Sequence, residues 1–222
     1  MSGNKYLILR FKGPMQSWGL RAKFDYRSTE TMPTKSGVIG LLAAALGLER
    51  SDTVGLAEIS KLKLMTICVK EGTVVSDYHT VGGGYDPDNP DEQENCLTTT
   101  EGKHKKGSAV TKRQYLCDYE FLAVLRGDSI LINKCSEALQ NPVYALCLGR
   151  KSCFPSMPVH VGVYQNKQEM IDCLKANKWR EGLRISCEVD KGGQFEQDVP
   201  INFEERKFTS RRISGDPTDW LS

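Results

Sequence analysis

The residues with the clearest potential for chemistry lie in the run CLGRKSCFP, Cys147 to Pro155. Its residue types suit a metal site, a nucleotide-binding loop, a redox pair or an anion-binding turn. A phosphate-binding P-loop requires G-x-x-x-x-G-K-[ST], but Tyr144 stands where the first glycine should be and arginine replaces the lysine. A glycine turn that offers N–H groups and cations to a phosphate remains open, against a solvated basic turn. Its binding residues would be Gly149, Arg150, Lys151 and Ser152.

The cysteines do not indicate a metal site. A structural zinc site usually combines two close pairs of ligands, whereas Cys147 and Cys153 form an isolated C-x5-C spacing. We therefore expect reduced thiols, mostly buried as small apolar side chains, with no metal and no other cofactor. The cysteines are Cys68, Cys96, Cys117, Cys135, Cys147, Cys153, Cys173 and Cys187.

A second anion-binding stretch is PTKSG, in which Thr34, Lys35 and Ser36 precede an apolar run. Hydroxyls, a lysine and free N–H groups at a helix start favour an anion. The alternative is ordinary helix capping. We expect this stretch and the glycine turn to bind one run of phosphates.

The loop GPMQSWG follows an apolar strand and carries Gln16, Ser17 and Trp18 beside Lys12. An indole in a loop can stack on an unpaired base, although a lone tryptophan is more often part of a core. The stretch that follows is polar and basic and contains Arg27.

The segment Gly82–Gln114 is rich in glycine and charge and poor in large apolar residues. An acidic run spans Asp86 to Glu94, and the basic run GKHKKGSAVTKR follows it. A connector of this length without a core is usually functional or disordered. The alternatives for the basic run are nucleic-acid contact and a solvated surface. Its candidate residues are Lys105, Lys106, Lys112 and Arg113.

Catalytic motifs are scarce. His79, His104 and His160 are the only histidines, and neither H-E-x-x-H nor G-x-S-x-G occurs. A metal-free ribonuclease could use His104 or His79 as a general base, but no spacing requires it. Several weak anion-binding signals favour a binding protein over an enzyme.

Hydrophobic patterns predict an α+β fold with the order β-α-β-β-α-β, as in ferredoxin-like and RNA-recognition domains. The clearest helix follows Pro33, with Thr34 or Ser36 as its cap and Gly47 at its end. The other predicted helices are Asp52–Lys61, Asp128–Pro142 and Asn166–Asn177. The predicted strands are Lys5–Phe11, Leu62–Val69, Thr73–Val81, Tyr115–Leu125, Val143–Leu148, Val159–Tyr164, Gly182–Asp190 and Val199–Ile213.

Composition points to a globular protein whose charge is local. The 222 residues carry a formal net charge of only +2, so bulk charge does not imply nucleic-acid binding. The most apolar run, Val38 to Leu48, is too short to span a membrane, and no signal peptide is recognisable. We expect a cytoplasmic protein without a membrane partner.

Five stretches, in this order and spacing, resemble the CasD family: YLILRFKGPMQSWG, PTKSGVIGLLAAALGLERSD, DYHTV, RQYLCDYEF and YALCLGRKSCFP. Members of this family are CRISPR-associated subunits of type I-E Cascade that cap the 5′ end of the guide RNA. The resemblance covers roughly residues 5–160. It implies a repeat-associated (RAMP) protein with a ferredoxin-like domain over 1–155, a thumb-like β-hairpin arm inserted at about 82–114, and a β-rich C-terminal extension over 156–222.

The resemblance also implies a non-catalytic protein that binds the repeat-derived 5′ handle of a CRISPR RNA. It would contact the large subunit and the first backbone subunit, and target DNA only indirectly, near the handle–spacer junction. In DYHTV, Tyr78 and His79 would lie at the root of the arm. The expected RNA-binding residues are Lys12, Gln16, Ser17, Trp18, Arg27, Thr34, Lys35, Ser36, Tyr78, His79, Lys105, Lys106, Lys112, Arg113, Gly149, Arg150, Lys151 and Ser152.

Two other functions compete with this one. The first is a metal-independent endoribonuclease, as in related type I-C subunits that use a Tyr, Lys and His set. Lys103 and His104 adjoin here, and Tyr26 or Tyr78 could complete such a set. The second is a protein scaffold without RNA contact.

Overall fold

A computed structural model describes residues 3–19, 25–82, 85–99, 101–105 and 107–221, which form an α+β fold with mainly antiparallel sheets. The helices are α1 (Lys35–Leu46), α2 (Thr53–Ser60), α3 (Ser129–Gln140), α4 (Lys167–Ala176) and α5 (Thr218–Leu221). The strands are β1 (Asn4–Lys12), β2 (Met15–Gln16), β3 (Tyr26–Arg27), β4 (Lys63–Lys70), β5 (Thr73–Val81), β6 (Leu97–Thr98), β7 (His104–Lys105), β8 (Ala109–Cys117), β9 (Glu120–Asp128), β10 (His160–Tyr164), β11 (Arg184–Glu188), β12 (Gln194–Asn202) and β13 (Lys207–Ser214).

The main sheet has seven strands in the order β10-β1-β9-β4-β11-β13-β12, and neighbouring strands are antiparallel. The interior strand β1 contributes to two cores because successive side chains point to opposite faces of the sheet. Leu7, Leu9 and Phe11 pack on the face that carries α1, α2 and α3. Tyr6 and Ile8 pack on the other face, with α4 and α5. Both faces of the sheet are therefore covered by helices.

Helix α1 confirms the prediction made from its sequence pattern. Thr34 is the N-cap, and its hydroxyl oxygen accepts a hydrogen bond from the Gly37 N–H at 3.3 Å. The helix ends at Gly47, whose φ of 73° is left-handed and suits glycine. The predicted inner face is buried, and it comprises Val38, Leu41, Leu42 and Ala45.

A second sheet is built around β8. Strand β5 lies along one edge of β8, and the short strands β2 and β3 lie along the other, with β3 parallel to β8. The sequence prediction of one strand over Tyr115–Leu125 is wrong. The strand is interrupted at Asp118, which has a φ of 60°. The chain changes direction there, so that β8 belongs to the second sheet and β9 to the main sheet. The strands β5 and β8, with the β6–β7 hairpin between them in the chain, form what we call the arm.

The predicted strand Val143–Leu148 is also wrong. Its residues form no strand, and the Val143 and Tyr144 N–H groups donate instead to the Ala45 and Ala44 carbonyls at the end of α1. The bond from Val143 gives a partner to the Ala45 carbonyl, one of the groups that a helix leaves unpaired at its C-terminus, and the Ala44 carbonyl also accepts from the Gly47 N–H. The segment after α3 is therefore held against α1 rather than paired in a sheet.

The region after residue 155 contributes to the main sheet at two places. Strand β10 pairs with β1, and β11 pairs with β4 and connects the hairpin β12–β13 to the sheet. Residues on both sides of position 155 thus build one continuous sheet.

The described residues offer no cluster of three or more metal-ligating side chains. All eight cysteines are free, as expected, but only four are buried and the other four are half-buried. None of the described helices is long and apolar enough to cross a membrane.

Candidate nucleic-acid interface

The structure brings the three candidate loops together around the indole of Trp18. On one side, the Ser17 N–H donates to the Leu148 carbonyl at 3.0 Å, which links the first loop to the glycine turn. On the other side, a Cβ atom at Gly37 would lie 2.7 Å from Trp18 Cε3. Only a glycine in the first turn of α1 allows the ring to approach so closely. Three segments that are distant in sequence therefore share one junction.

The glycine turn is shaped by its backbone. Gly149 has a φ of 90°, and a Cβ atom there would lie 1.7 Å from the Ser17 carbonyl oxygen. The turn is closed by hydrogen bonds from the Leu148 N–H to the Cys153 carbonyl at 2.7 Å and from the Cys153 N–H to the Arg150 carbonyl at 2.9 Å. Burial raises the pKa of the Cys153 thiol, so it stays protonated near neutral pH. The cysteine packs the turn and does not prepare a metal ligand.

Arg150 holds the turn against the arm. Its Nη1 donates to the Gln114 carbonyl at 3.0 Å, and its Nη2 donates to the Arg27 carbonyl at 2.7 Å. The guanidinium also lies over the Tyr115 ring, 4.9 Å from the centroid. These contacts use both terminal nitrogens. The side chain joins two backbone segments, and phosphate binding by Arg150 stays a prediction.

The neighbours of Arg150 remain directed to solvent. Lys151 and Ser152 are exposed, and among the described residues the Lys151 ammonium has no hydrogen-bond or ion-pair partner. Phe154 is 57% exposed and follows the same turn. Sequence reasoning missed this aromatic residue, although its position after a basic turn was a usable signal. The turn thus presents a hydroxyl, a free cation and an aromatic ring side by side in the chain.

The loop residues expected to line an RNA path are buried. Trp18 has no exposed surface and its ring packs on Phe11, with 5.0 Å between centroids. Gln16 is also fully buried, and its Nε2 donates to the Phe11 and Tyr119 carbonyls at 3.2 and 2.8 Å. Ser17 is 2% exposed, and its hydroxyl donates to the Gln114 carbonyl. The predictions of stacking by Trp18 and of direct contact by Gln16 and Ser17 are wrong, because a closed core holds these side chains.

The start of α1 already holds an anion from the same chain. The Lys35 N–H donates to Asp198 Oδ2 at 2.6 Å, and Asp198 is fully buried. Lys35 is 2% exposed, and its ammonium donates to both carboxylate oxygens of Glu188, at 2.8 and 3.1 Å. Thr34 serves as the cap, and its hydroxyl lies 3.3 Å from that of Ser36. The prediction that this stretch meets an RNA phosphate is corrected.

Four alternating charges tie α1 to the C-terminal hairpin: Lys35, Glu188, Arg211 and Asp198. Arg211 forms two hydrogen bonds with Asp198, at 2.7 and 2.9 Å. Desolvation lowers the pKa of Lys35, while the Glu188 carboxylate opposes this shift. Two cations and two carboxylates compensate one another, so this group stabilises the packing of the hairpin rather than attracting a ligand.

Lys12 lies at the end of β1 beside Glu120, which is only 6% exposed. The Lys12 ammonium is 3.4 Å from a Glu120 oxygen, and Arg10 pairs with the other oxygen of the same carboxylate. The Lys12 side chain is still 48% exposed, so its ammonium can reach solvent while its charge is partly balanced.

The arm carries a row of exposed aromatic and cationic side chains. Tyr26 on β3 and Tyr78 on β5 are the register partners of Lys112 on β8, so the three side chains lie side by side on one face of the sheet. Tyr26 is 49% exposed, Tyr78 is 64% exposed, and Lys112 is exposed. The expectation placed Tyr78 and Lys112 among the RNA-binding residues. The row adds Tyr26, which the sequence suggested only for a ribonuclease.

The opposite face of the arm carries Arg27, Arg113 and Asp77 in the adjacent register. Arg27 is exposed, and the Arg113 Nε donates to the Thr111 hydroxyl at 3.1 Å. His79 lies on this face too, and its Nδ1 is buried without a hydrogen-bond partner among the described residues. The two faces thus differ in chemistry.

The basic run at the far end of the arm is only partly described. Strand β7 contains His104 and Lys105 and pairs with β6, where His104 faces Thr98 in the register. Lys106 lies outside the described residues. The structure therefore gives no side-chain geometry for the two adjacent lysines.

Comparison with known proteins gives consistent matches. A family model for "CRISPR-associated protein (Cas_Cas5)" matches residues 6–214. The CRISPR system Cascade subunit CasD of Escherichia coli (strain K12) is 33% identical over 172 residues, which cover 72% of this chain and 71% of that protein.

Two solved structures are similar to this chain over nearly its whole length. A chain of a CRISPR RNA-guided surveillance complex superposes with a TM-score of 0.73 and 26% identity, covering 94% of this chain and 88% of the other. A second structure, described as that of a Cas protein, has a TM-score of 0.65 and 28% identity, covering 95% and 93%.

Proposed function

Because the chain belongs to the CRISPR-associated protein (Cas_Cas5) family, we propose that it is a non-catalytic RNA-binding subunit of a type I-E CRISPR Cascade surveillance complex. In this role it caps the repeat-derived 5′ handle of the CRISPR RNA. The relative in Escherichia coli is named as a Cascade subunit, and a similar chain comes from an RNA-guided surveillance complex. These names support the assignment to the complex.

The observation that carries the RNA-binding proposal is the turn at Gly149–Ser152. Arg150 is used inside the protein, and this contact fixes the turn so that Lys151 and Ser152 face solvent. An exposed ammonium and a hydroxyl on a rigid turn match the phosphate contacts that position RNA. Phe154, exposed beside them, offers the stacking surface that Trp18 does not.

The arm supplies a second contact surface. Tyr26, Lys112 and Tyr78 combine two aromatic rings with a cation between them. Such interleaving suits single-stranded RNA, whose bases stack on rings while cations balance the phosphates. We propose that this row lies over the RNA near the handle–spacer junction, where target DNA would be approached indirectly.

The fold supports the same proposal. The strands β10, β1, β9 and β4 are adjacent in that order, and helices α1 and α3 connect β1 to β4 and β9 to β10. This arrangement supports our proposal of a ferredoxin-like β-α-β-β-α-β unit and of a RAMP-type domain with β5 and β8 as its thumb-like arm. The large subunit and a backbone subunit are the protein partners we propose.

The test is to express the chain with its Cascade partners and sequence the RNA that co-purifies. We expect a protected 5′ repeat fragment in the native complex. A Lys151→Glu variant should assemble but lose protection of that fragment, because a carboxylate replaces the free ammonium. Unchanged protection in this variant would remove the turn from the RNA site. RNA that lacks the repeat fragment in the native complex would remove the capping role.

A ribonuclease role is tested separately by incubating the pure protein with repeat RNA in EDTA. The described geometry does not favour this role, since His104 lies in the β6–β7 hairpin whereas Tyr26 and Tyr78 belong to the β8 sheet. Site-specific cleavage that disappears in His104→Ala would overturn the non-catalytic assignment.

A further inference from the structure

One edge of strand β5 is open in the part of the chain that the structure describes. The strand pairs with β8 from Thr73 to Val81 without a register shift. Among the described residues, no strand pairs with its other edge. A regular edge of this kind offers a row of backbone N–H and C=O groups to another strand.

The other long edges of the protein are protected. The outer strand β12 contains Pro200 and two register shifts in its pairing with β13. The opposite outer strand, β10, has only five residues, includes Gly162, and pairs with β1 through a register shift. Proline, bulges and short length are the usual devices that prevent strands from associating. Strand β5 contains no proline, glycine, lysine or arginine, so it lacks all of these devices.

The side chains of β5 favour pairing on both faces. Val74 and Tyr78 lie on one face and are 49% and 64% exposed. Val75 and Val81 lie on the other face and are 45% and 43% exposed. Branched and aromatic side chains stabilise a sheet when a neighbouring strand covers them. The side chains of β5 therefore suit a neighbouring strand on an edge where the described residues supply none.

A second copy of the chain does not suit this edge. Asp77 is the middle residue of the nine-residue strand. Antiparallel pairing of two β5 strands over their full length would therefore place one Asp77 opposite the other, and like charges in that position are destabilising. Asp77 is exposed and forms no salt bridge among the described residues, although Arg113 is its register partner on β8. A cation on a strand at the open edge would give Asp77 a second cross-strand partner.

We propose that the open edge of β5 binds an extended segment of another protein subunit of the complex, which adds a strand to the arm. The segment carries Lys or Arg opposite Asp77 and apolar side chains beside the exposed valines. This mode of binding uses backbone hydrogen bonds for affinity and the flanking side chains for specificity. The proposal rests on the proposed function only in taking the partner from the Cascade complex.

Hydrogen exchange measured by mass spectrometry tests the backbone contact. In the isolated chain, about half of the β5 amides should exchange quickly, because the N–H groups of alternate residues point away from β8 and towards the open edge. In the assembled complex these amides should become protected. If the complex contains the 5′ repeat fragment but the β5 amides still exchange quickly, the edge is free and this inference fails while the proposed function stands.

Photo-crosslinking identifies the occupant. A photoreactive amino acid in place of Val75 should form an adduct with another protein subunit of the assembled complex. An adduct with RNA, an adduct with a second copy of the chain, or no adduct would each overturn the proposal.

Charge variants test the match at Asp77. Asp77→Lys should lower incorporation into the complex by about threefold or more, since a favourable cross-strand charge pair becomes a repulsive one. Asp77→Asn should give a smaller loss and avoids a cation opposite Arg113 within the arm. Glu204→Lys, an exposed acidic residue in the β12–β13 connection, is the matched control and should assemble normally. Equal incorporation of Asp77→Asn, Asp77→Lys and the control would contradict the proposed charge match.

Discussion

At the residue scale, two adjacent cations have separate tasks. Arg150 is half-buried and donates to the carbonyls of Gln114 and Arg27, whereas Lys151 is exposed and unpaired among the described residues. The sequence presents them as equivalent. Their difference comes from the planar guanidinium, which can reach two backbone segments and a ring at once.

We predict that Arg150→Ala mainly lowers the stability of the protein, whereas Lys151→Ala mainly weakens RNA binding. Arg150→Ala should lower the free energy of unfolding by about 1–2 kcal/mol, because the half-buried Gln114 carbonyl loses a charged donor and the turn loses its hydrogen bond to Arg27. Lys151→Ala should leave stability within about 0.5 kcal/mol and reduce the salt slope of RNA binding by about one phosphate contact. Urea unfolding and RNA titration at several salt concentrations measure these effects. An Arg150→Ala protein with native stability would contradict the structural role.

A second residue-scale feature is the hydrogen bond between Ser136 on α3 and His160 on β10. The Ser136 hydroxyl and His160 Nε2 are 2.8 Å apart, and Gln140 Nε2 donates to the Ser136 carbonyl. Burial lowers the pKa of His160 below its ordinary value of 6.5. The neutral imidazole is therefore the form that fits between the helix and the sheet.

This shift predicts how stability depends on pH. A histidine whose pKa is lower in the folded state binds protons more readily when unfolded, so stability rises with pH and falls as pH drops below about 6.5. The variant His160→Gln keeps a polar side chain but cannot take up a proton in this range. Its loss of stability between about pH 7.5 and 5.5 should be smaller than that of the native chain. Urea unfolding at both pH values measures the difference, and equal losses would contradict the assignment.

At the element scale, the glycine turn depends on close backbone contact. Gly149 and Gly192 both have positive φ values, 90° and 71°. A Cβ atom at Gly149 would lie 1.7 Å from the Ser17 carbonyl oxygen, whereas nothing lies within 4 Å of one at Gly192. The two positions share the strain of a left-handed residue and differ in available space.

Alanine substitutions at these two glycines separate the cost of a left-handed backbone conformation from the cost of a steric clash. Gly192→Ala should lower the free energy of unfolding by about 1 kcal/mol, the cost of a left-handed residue with a side chain. Gly149→Ala should cost roughly 3 kcal/mol or more, because the first loop must also move away from the turn. RNA binding should fall in Gly149→Ala and remain in Gly192→Ala. Similar stability of the two variants would show that the first loop can move away from the glycine turn at little cost in free energy.

At the scale of the whole molecule, the C-terminal region completes the sheet. Strand β10 covers one side of β1, and β11 covers one side of β4. The same region supplies Glu188, Asp198 and Arg211, which surround the buried Lys35. A domain boundary at residue 155 would leave two open strand edges and a buried ammonium without its carboxylates.

We therefore predict that a fragment of residues 1–155 does not fold alone. Loss of the β10 and β11 pairing exposes apolar strands, and loss of Glu188 leaves Lys35 uncompensated in the core, where an unpaired charge costs several kcal/mol. Circular dichroism and thermal unfolding of the fragment, beside the full chain, provide the measurement. A cooperative thermal transition in the fragment would establish 1–155 as an independent domain.

The sequence by itself determined part of the local structure and the family. The helix after Thr34, its end at Gly47 and the strands β1, β4 and β5 follow from patterns that span a few residues. Such patterns suffice because hydrogen bonds and side-chain periodicity within an element are local. The combination of loop motifs likewise pointed to a family that the comparisons confirm.

Only the tertiary structure decided which polar residues face solvent. The Lys35 N–H meets Asp198, 163 positions away, and Arg150 meets Arg27, 123 positions away. A lysine, an arginine or a tryptophan in a loop has the same local pattern whether it is buried or exposed. Its environment depends on long-range packing, because a buried polar group requires a compensating partner, and any part of the chain can supply one. Packing made Trp18 part of the core and left Lys151 and Phe154 on the surface.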